Sequence, residues 1–187
     1  MARTKEFDPE AALGRALDLF WERGYEKSSM QDLVGHMKVG RRSVYDTYGS
    51  KHRLFLRALD SYITAAEGVQ RGIADEAVDA RRALGMLLAT SLAGNRGCFA
   101  VNSATEVAPH APDVAERIER HFAVSARLVR DLVERGQREG SVTGAHDAGV
   151  LAGVVFDAWL GLRVRVRSAG AGEDVRAGLR RVLSLLG

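Results

Sequence analysis

The sequence predicts an all-α fold, and three observations carry that prediction. Apolar residues recur at three- and four-residue spacing along most of the 187-residue chain. Alternating strand patterns are scarce, because the run RVRVR at 163–167 continues a helical pattern. The three prolines, Pro9, Pro109 and Pro112, suit helix starts or loops. The composition, 46% hydrophobic and 27% charged, is that of a globular protein able to bury a sizeable core.

The first helix is predicted to start at the Asp8–Pro9–Glu10 step. Asp8 can cap the first turn, and Pro9 fits the first helical position. Gly24 is expected to end the helix, as glycine often does. One apolar face is predicted for Leu13, Leu17, Phe20 and Trp21.

Two short helices joined by a tight turn are predicted next. Ser29 is a good N-cap for the first of them, with Asp32 placed as in a capping box. The turn falls at 38–40, and the second short helix covers 41–48. Short helices joined in this way and braced by a longer one form a helix-turn-helix, whose second helix usually enters the major groove of DNA. We therefore predict an N-terminal three-helix domain over residues 1–55.

The remainder, 56–187, is predicted to be a larger helical domain. After Gly49 breaks the preceding helix, Ser50 caps a new one whose apolar stripe reaches Tyr62. The later helical segments are expected at about 77–92, 101–107, 113–138, 147–168 and 173–186. The most apolar run, 148–162, is interrupted by Asp157 and is shorter than the roughly 20 residues that span a bilayer, so it predicts a buried helix.

Positive charge is concentrated near the tight turn. The net charge of the whole chain is only +3, which favours a polyanionic partner weakly. Between residues 36 and 57, however, Asp46 is the only acidic residue. The cations of this patch are Lys38, Arg41, Arg42, Lys51, Arg53 and Arg57.

The predicted helix 41–48 separates an inward face from an outward one. At 100° per residue, Val44 and Tyr48 share the inward face, and Arg42, Ser43 and Asp46 point away from it. Arginine can grip guanine O6 and N7, and a carboxylate can accept from cytosine N4, so this outward face suits base edges. The alternative is a solvated i,i+4 pair between Arg42 and Asp46, worth about 0.2–0.5 kcal/mol.

The flanks of the same helix carry further polar groups. Arg41 and Tyr45 fall on one flank and Thr47 on the other. Tyr45 and Lys51 suit phosphate oxygens, which fix the register of a protein on DNA without reading sequence. Lys51 also stands at a helix start, where free N–H groups attract anions.

From Ala11 to Leu59 the sequence resembles the tetracycline-repressor-like (TetR) family of bacterial regulators. The resemblance rests on FWERGYEKSSMQDL, Val39, SVY at 43–45 and YGSKHRLF at 48–55. Two positions depart from the family pattern, because Lys38 and Gly40 stand where glycine and serine are common. Either Lys38 adopts a left-handed conformation at some strain, or the turn has a different shape. The resemblance implies DNA contacts by Ser29, Gln31, Arg41, Arg42, Ser43, Tyr45, Asp46, Thr47 and Lys51.

The resemblance also implies a homodimer on palindromic operator DNA, with the last two helices of each subunit at the interface. Small residues that would let helices approach are Ala148, Gly149, Ala152, Gly153, Ala158 and Gly161; the apolar ones are Val154, Val155, Leu160, Leu179, Val182, Leu183 and Leu186. The alternative is that these residues only close the monomer core.

A small-molecule effector pocket between the C-terminal helices is a further implication of the resemblance. The predicted lining residues are Met86, Thr90, Cys98, Phe99, Asn102, Phe122, Phe156 and Trp159. A stripe of aromatic and methionine side chains is also typical of a plain core, so both interpretations stay open.

The segment from Asn95 to Ile118 resembles the NemR-type branch of the family, some members of which sense electrophiles or oxidants through a cysteine. In this chain that residue would be Cys98, the only cysteine. The thiolate is the reactive form of such a residue. The alternative is a small buried apolar residue, which is common for free cysteine. No second cysteine in the chain could resolve an oxidised form.

Other functional classes find little support in the sequence. There is no nucleophile–base pair, phosphate-binding glycine loop or metal-ligand spacing, so neither an enzyme nor a cofactor nor a metal site is expected. A helical interaction module without a DNA role is the remaining rival. One cysteine allows no intrachain disulfide, and the start, MARTKEFDPEAA, has no apolar core of a signal peptide. The cytoplasm is therefore the expected location, with no membrane partner.

Overall fold

The computed structural model describes residues 7–187. The predicted first domain starts within residues 1–6, which lie outside this range. The expectation that the start of the sequence is not a signal peptide also concerns these residues. The described residues form nine α-helices and no strand, so the all-α prediction is confirmed. The first four helices are α1 (Pro9–Arg23), α2 (Met30–Met37), α3 (Arg41–Tyr48) and α4 (Lys51–Glu76).

The caps predicted for these helices are present. One carboxylate oxygen of Asp8 accepts from the backbone N–H groups of Glu10 and Ala11, at 2.9 and 3.3 Å. Ser29 and Asp32 form the complete capping box at the start of α2, each side chain bonding the backbone N–H of the other. Since each cap satisfies N–H groups that a helix leaves free, these short segments start where the sequence indicates.

The C-terminal helices follow the predicted order with adjusted ends. Their bounds are α5 (Ala80–Ala89), α6 (Phe99–Glu106), α7 (Pro112–Glu139), α8 (Ala148–Ala169) and α9 (Glu173–Ser184). The segment predicted as one helix over 77–92 starts later, because the Asp79 side chain caps α5, and it ends in a 3-10 turn at Thr90–Leu92. Among residues 7–187, no helix is long and apolar enough to cross a membrane.

The buried side chains form two clusters. The first joins α1–α3 and the start of α4 to α6 and the start of α7, with the rings of Phe20, Phe55 and Phe99 in successive edge-to-face contact. The second fills the space between α5, α7, α8 and α9. Helix α4 runs without a break across residue 55, the predicted domain boundary. The helix-turn-helix therefore shares a core and a long helix with the larger domain.

The thirteen residues predicted for a dimer interface differ in burial, and six of them are half-buried: Ala148, Gly149, Ala158, Leu160, Leu179 and Leu183. Ala152, Val155, Val182 and Leu186 are buried within the single chain, so the interpretation as monomer core describes them better. By contrast, Gly153, Val154 and Gly161 are exposed on α8. Other large apolar side chains exposed on α8 and α9 are Val150, Val164 and Leu185.

Candidate nucleic-acid interface and ligand cavity

Helix α3 is held by its inward face. Val44 and Tyr48 are buried, as the helical winding predicts. The Tyr48 hydroxyl donates to the carbonyl of Pro9, at 2.7 Å, which ties the end of α3 to the start of α1. Ser43 and Thr47 are half-buried, so Ser43, predicted on the outward face, lies at its edge, and Thr47 lies on a flank. The helix is therefore fixed in rotation, and its opposite face is turned to solvent.

The outward face carries the predicted pair of opposite charges. The Arg42 Nε and Asp46 Oδ2 atoms are 3.8 Å apart, and the two side chains are 91% and 72% exposed. On the flank, the Arg41 guanidinium lies 5.7 Å from the centre of the Tyr45 ring. The geometry is compatible both with base contacts and with a solvated ion pair, because nothing in the fold covers these side chains.

The start of α2 adds two predicted contact residues. The Ser29 hydroxyl accepts from the Asp32 N–H and donates to its carboxylate, at 3.1 and 2.5 Å. These hydrogen bonds from Ser29 hold the pKa of Asp32 below its ordinary value. Gln31 is exposed beside them. Ser29 thus has a structural role, and its contact with phosphate stays a prediction.

The turn between α2 and α3 has the strain expected from its sequence. Lys38 adopts φ 55° and ψ 42°, and it is the only non-glycine among residues 7–187 with positive φ. A side chain in this left-handed conformation costs roughly 1–2 kcal/mol. Its backbone N–H bonds to the Val34 carbonyl, so the strained residue closes the end of α2.

Lys51 has a neighbour that the sequence interpretation did not include. Its Nζ atom lies 4.2 Å from the centre of the Tyr25 ring, which comes from the loop between α1 and α2. A cation over an aromatic ring is favourable and limits the positions that the ammonium samples. Lys51 is therefore presented at the start of α4 from one preferred side.

A cavity of about 380 Å³ lies where the helix-turn-helix meets the larger domain. Its wall is built from α1, the middle of α4, the segment between α5 and α6, and α8. Leu17, Trp21, Ala65, Ala66 and Val69 make much of this wall apolar. A volume in this range, with an apolar wall and a few polar groups, is typical of small-molecule sites.

Cys98 lies in the wall of this cavity, 3% exposed, with two hydrogen-bond donors on its sulfur. The Tyr62 hydroxyl is 3.2 Å from Sγ and an Arg163 Nη atom is 3.1 Å from it. Burial, together with the adjacent Cys98, raises the pKa of Tyr62 far above its ordinary value, so the hydroxyl keeps its proton and donates.

Two family descriptions match most of the chain. Residues 12–58 match "Bacterial regulatory proteins, tetR family", and residues 85–182 match "Tetracyclin repressor-like, C-terminal domain". The second match alone covers more than half of the sequence. The chain belongs to the TetR family. It is thus a DNA-binding transcriptional regulator, and dimerisation and release by a ligand are typical of the family.

Individual TetR-family relatives agree with this assignment. YezE of Bacillus subtilis (strain 168), an uncharacterised HTH-type transcriptional regulator, is 40% identical over 126 residues, which are 64% of this chain and 65% of that protein. The HTH-type transcriptional repressor ComR of Escherichia coli (strain K12) is 29% identical over 92% of this chain and 86% of its own length. The TetR-family regulator CifR, solved as a cysteine mutant with 26-bp operator DNA, has 31% identity, a TM-score of 0.86, and coverage of 99% of this chain and 100% of its own.

The reduced form of E. coli NemR is also a structural neighbour. It has a TM-score of 0.84 over 95% of this chain and 96% of its own, at 18% identity. The similarity to the NemR-like branch predicted from the C-terminal sequence is therefore confirmed at the level of fold. Sensing by a cysteine does not follow from it and stays a prediction.

Only two of the predicted effector residues of this TetR-family chain line the cavity. They are Thr90 and Cys98. Phe99 belongs to the aromatic cluster of the first core, and Asn102 donates to the Arg96 carbonyl. Trp159 is buried under Arg163. Phe122 and Phe156 pack on each other, and Met86 lies on a different surface depression. A ligand role for these six residues stays a prediction.

The residues that the sequence interpretation missed are the polar ones of the cavity wall. Gln70, Ser91 and Arg163 line it, and all three are more than nine-tenths buried. A polar residue on the apolar stripe of a helix is the available signal, since Gln70 lies between Ala66 and Ala74, and Arg163 between Trp159 and Val166. Among residues 7–187 no cluster of His, Cys, Asp or Glu suits a metal ion.

The cavity is tied to α1 through the loop that carries Cys98. Arg96 pairs with Asp18 at 3.0 Å and stacks on the Trp21 ring at 4.2 Å. Trp21 in turn donates from Nε1 to the Arg96 carbonyl, at 3.2 Å. A displacement of this loop therefore acts directly on the helix that supports the helix-turn-helix.

Proposed function

We propose that this protein is a homodimeric repressor that binds palindromic operator DNA and is released from it by a small molecule in the cavity beside α1. The observation that carries the proposal is the outward face of α3. It presents Arg42 to solvent, with Arg41 exposed on the adjoining flank, on a chain whose net charge is only +3. Affinity for DNA would come from phosphate contacts, and selectivity from base edges.

The contact residues are assigned by position. We assign base recognition to Arg42, Ser43 and Asp46 on the outward face of α3, with Gln31 of α2 beside them. Phosphate contacts are assigned to Ser29, Arg41, Tyr45, Thr47 and Lys51. The location of Lys51 over the Tyr25 ring supports its part, because the ammonium stays near the start of α4 where anions are attracted.

The dimer is assigned to the free faces of α8 and α9. Val150, Val154 and Val164 are 65, 47 and 49% exposed, and Gly153 and Gly161 on the same helix leave room for a close helix. The apolar area that these residues expose is typical of a surface covered by a second subunit. A four-helix contact with the partner would hold the two α3 helices at a fixed separation.

Release follows from the location of the cavity. Successive major grooves lie about 34–36 Å apart on one face of DNA, so a dimer must hold its recognition helices near that separation. An occupant between α1, α4 and α8 would change the separation. The coupling is reciprocal, so operator DNA should weaken effector binding by the factor with which effector weakens DNA binding.

The first test is selection of operator DNA by the purified protein, followed by sequencing of what is retained. A palindrome with half-sites near one helical turn apart is expected. Lys51→Gln should lower the slope of log K against log salt by about 1 per subunit. Lys27→Gln, at an exposed lysine outside α2 and α3, is the control and should leave the slope unchanged. Retention with no motif, or none at modest salt, would refute the proposal.

A second candidate function, a thiol-based repressor, is favoured by one observation. Cys98 Sγ accepts from both Tyr62 and Arg163. Addition of the sulfur to an activated alkene would form one C–S bond, and the thiol proton would pass to the neighbouring alkene carbon. N-ethylmaleimide should then add one equivalent and release operator DNA from wild type, and leave Cys98→Ser bound. Equal response of both proteins would exclude this function.

The proposal includes no catalytic activity. The TetR family is a family of transcriptional regulators rather than of enzymes. A cytoplasmic location is part of the proposal, because the operator lies on the bacterial chromosome.

A further inference from the structure

Arg163 is a buried cation without an acidic partner. It is 8% exposed in the middle of α8. Its guanidinium lies 4.1 Å from the centre of the Trp159 ring, and one Nη atom donates to Cys98 Sγ. Among residues 7–187 no carboxylate lies within 4 Å of its nitrogens. Because burial of an uncompensated charge is costly, a guanidinium in the wall of a cavity is expected to have a negative partner there.

Two further polar groups in the same wall have no hydrogen-bond partner. Gln70 is 3% exposed, and its Oε1 accepts from Ser125, but its Nε2 is unpaired. Ser91 is 5% exposed and its hydroxyl is unpaired as well. Buried polar atoms in folded proteins are nearly always bonded. Each of these two atoms exposes less than 1 Å² of surface, so a ligand in the cavity reaches them through rotation of the Gln70 and Ser91 side chains.

The residues that line the cavity indicate the charge and the polarity of the ligand that would fit it. Arg163 is the only charged side chain among the lining residues. One guanidinium matches one negative charge, whereas a phosphate monoester carries about −1.5 to −2. The rest of the wall is mainly apolar and includes Leu17, Trp21 and Val69. A carboxylate on an apolar body fits both properties.

We propose that the effector of this regulator is a small apolar carboxylate. Its carboxylate binds the Arg163 guanidinium and the free donors of Gln70 and Ser91, and its body packs against the residues from α1 and α4. The regulatory role of this ligand rests on the proposed function, but the binding of a carboxylate at Arg163 can be measured without DNA.

The test is titration calorimetry on the full-length protein without DNA. The probes are hexanoate, octanoate, benzoate and phenylacetate, each compared with its neutral amide. At least one carboxylate should bind more than tenfold tighter than its amide, as expected for a charge-assisted bond to arginine. Equal binding of each acid and amide, or no binding of any acid, would overturn the proposal.

Variants locate the site. Arg163→Met should abolish binding of the carboxylate, and Arg163→Lys should keep part of it. If either fails to fold, Ser91→Ala and Gln70→Leu replace them, and each should weaken the carboxylate about tenfold by removal of one donor to a charged group. Arg81→Ala, at an exposed arginine of α5 outside the cavity, is the control and should bind the carboxylate as wild type does. Unchanged affinity in all of the folded lining variants would place the anion elsewhere and refute the assignment.

DNA binding is measured separately, so that the two failures can be told apart. If the protein retains no operator but binds carboxylates through Arg163, the proposed function fails and the anion site stands. If the protein binds operator and no carboxylate, the regulator stands and the anion site fails. Release of operator DNA by the carboxylate that binds, and not by its amide, is the result expected when both are correct.

Discussion

Replacement of Arg42 by alanine should separate DNA recognition from fold stability. The Arg42–Asp46 pair is 3.8 Å long and its side chains are 91% and 72% exposed. An exposed i,i+4 pair contributes about 0.3–0.5 kcal/mol, so the free energy of unfolding should fall by no more than about 0.5 kcal/mol. Loss of the bidentate hydrogen bonds from Arg42 to guanine should weaken operator binding by about 1–3 kcal/mol. The affinity change is thus about 5- to 150-fold, on a protein of nearly unchanged stability.

The companion variant, Asp46→Asn, tests the other half of the pair. The charge of Asp46 repels phosphate, so its removal should tighten binding to DNA of random sequence while preference for the selected operator falls. Because Arg42 and Asp46 are within contact distance, the two changes should not be additive in a double-mutant cycle. Arg81→Ala, which removes an exposed arginine of α5, is the matched control and should change neither affinity nor preference.

The assay is fluorescence anisotropy with the selected operator and a scrambled duplex, at two salt concentrations, together with urea unfolding of each variant. Arg42→Ala should lose affinity for the operator much more than for the scrambled duplex. Loss of affinity by the same factor for both would reduce Arg42 to a phosphate contact. An unchanged affinity for the operator would mean that the outward face of α3 does not read bases.

Three other predictions concern the frame that holds these sites. Lys38→Gly should stabilise the protein by about 0.5–1 kcal/mol in urea unfolding, since relief of the left-handed strain exceeds the entropy that glycine adds to the unfolded chain; a destabilised variant would contradict this. Gly97→Ala should lower the free energy of unfolding by about 2 kcal/mol or more, because Gly97 has φ +66° and a Cβ there would lie 3.0 Å from a backbone oxygen of α8. Gly94→Ala, with open space around the added Cβ, should cost only the backbone strain. Equal losses of stability in the two variants would refute the close contact at Gly97. The hydrogen bond from His52, at 2.8 Å, lowers the pKa of Asp113, so this pair contributes stability above about pH 4 that is lost as the pH falls through the lowered pKa. Asp113→Asn should therefore be less sensitive than wild type to acid in the same pH range, and an identical acid profile would count against it.

The helices and the outward face of α3 could be predicted because their causes are local. Caps at Asp8 and Ser29, and the winding that buries Val44 and Tyr48, depend on residues a few positions apart. The predicted start of α5 is three residues early, because the apolar Ala77 and Val78 extend the helical pattern. The Asp79 cap alone determines where the helix begins. Such ends are determined by one hydrogen bond rather than by a periodic pattern.

The cavity could not be predicted in the same way, because it is formed by segments far apart in sequence. The sequence predicts ligand contacts for Phe122 and Phe156 because these side chains are large and apolar. In the fold they fill space and pack on each other. The deeply buried polar residues of the cavity wall are Gln70, Ser91 and Arg163, beside apolar lining residues such as Leu17 and Trp21. A buried polar residue on an otherwise apolar stripe is thus the better sequence signal for a ligand site than an aromatic one.

The length of α4 shows why a small occupant in this cavity can affect DNA binding. The lining residues of α4, 61–70, lie about 10–19 residues from its start at Lys51, which corresponds to a lever of about 15–28 Å. A tilt of about 5° at the cavity would move the start of α4, and α3 with it, by roughly 2 Å at a rise of 1.5 Å per residue. In a symmetric dimer both heads move, so the separation of the two recognition helices would change by up to about 4 Å against a required 34–36 Å. Since the Phe20 ring of α1 packs edge-to-face on the Phe55 ring of α4, with 5.2 Å between their centres, α1 follows the tilt of α4, and the helix-turn-helix moves as one unit.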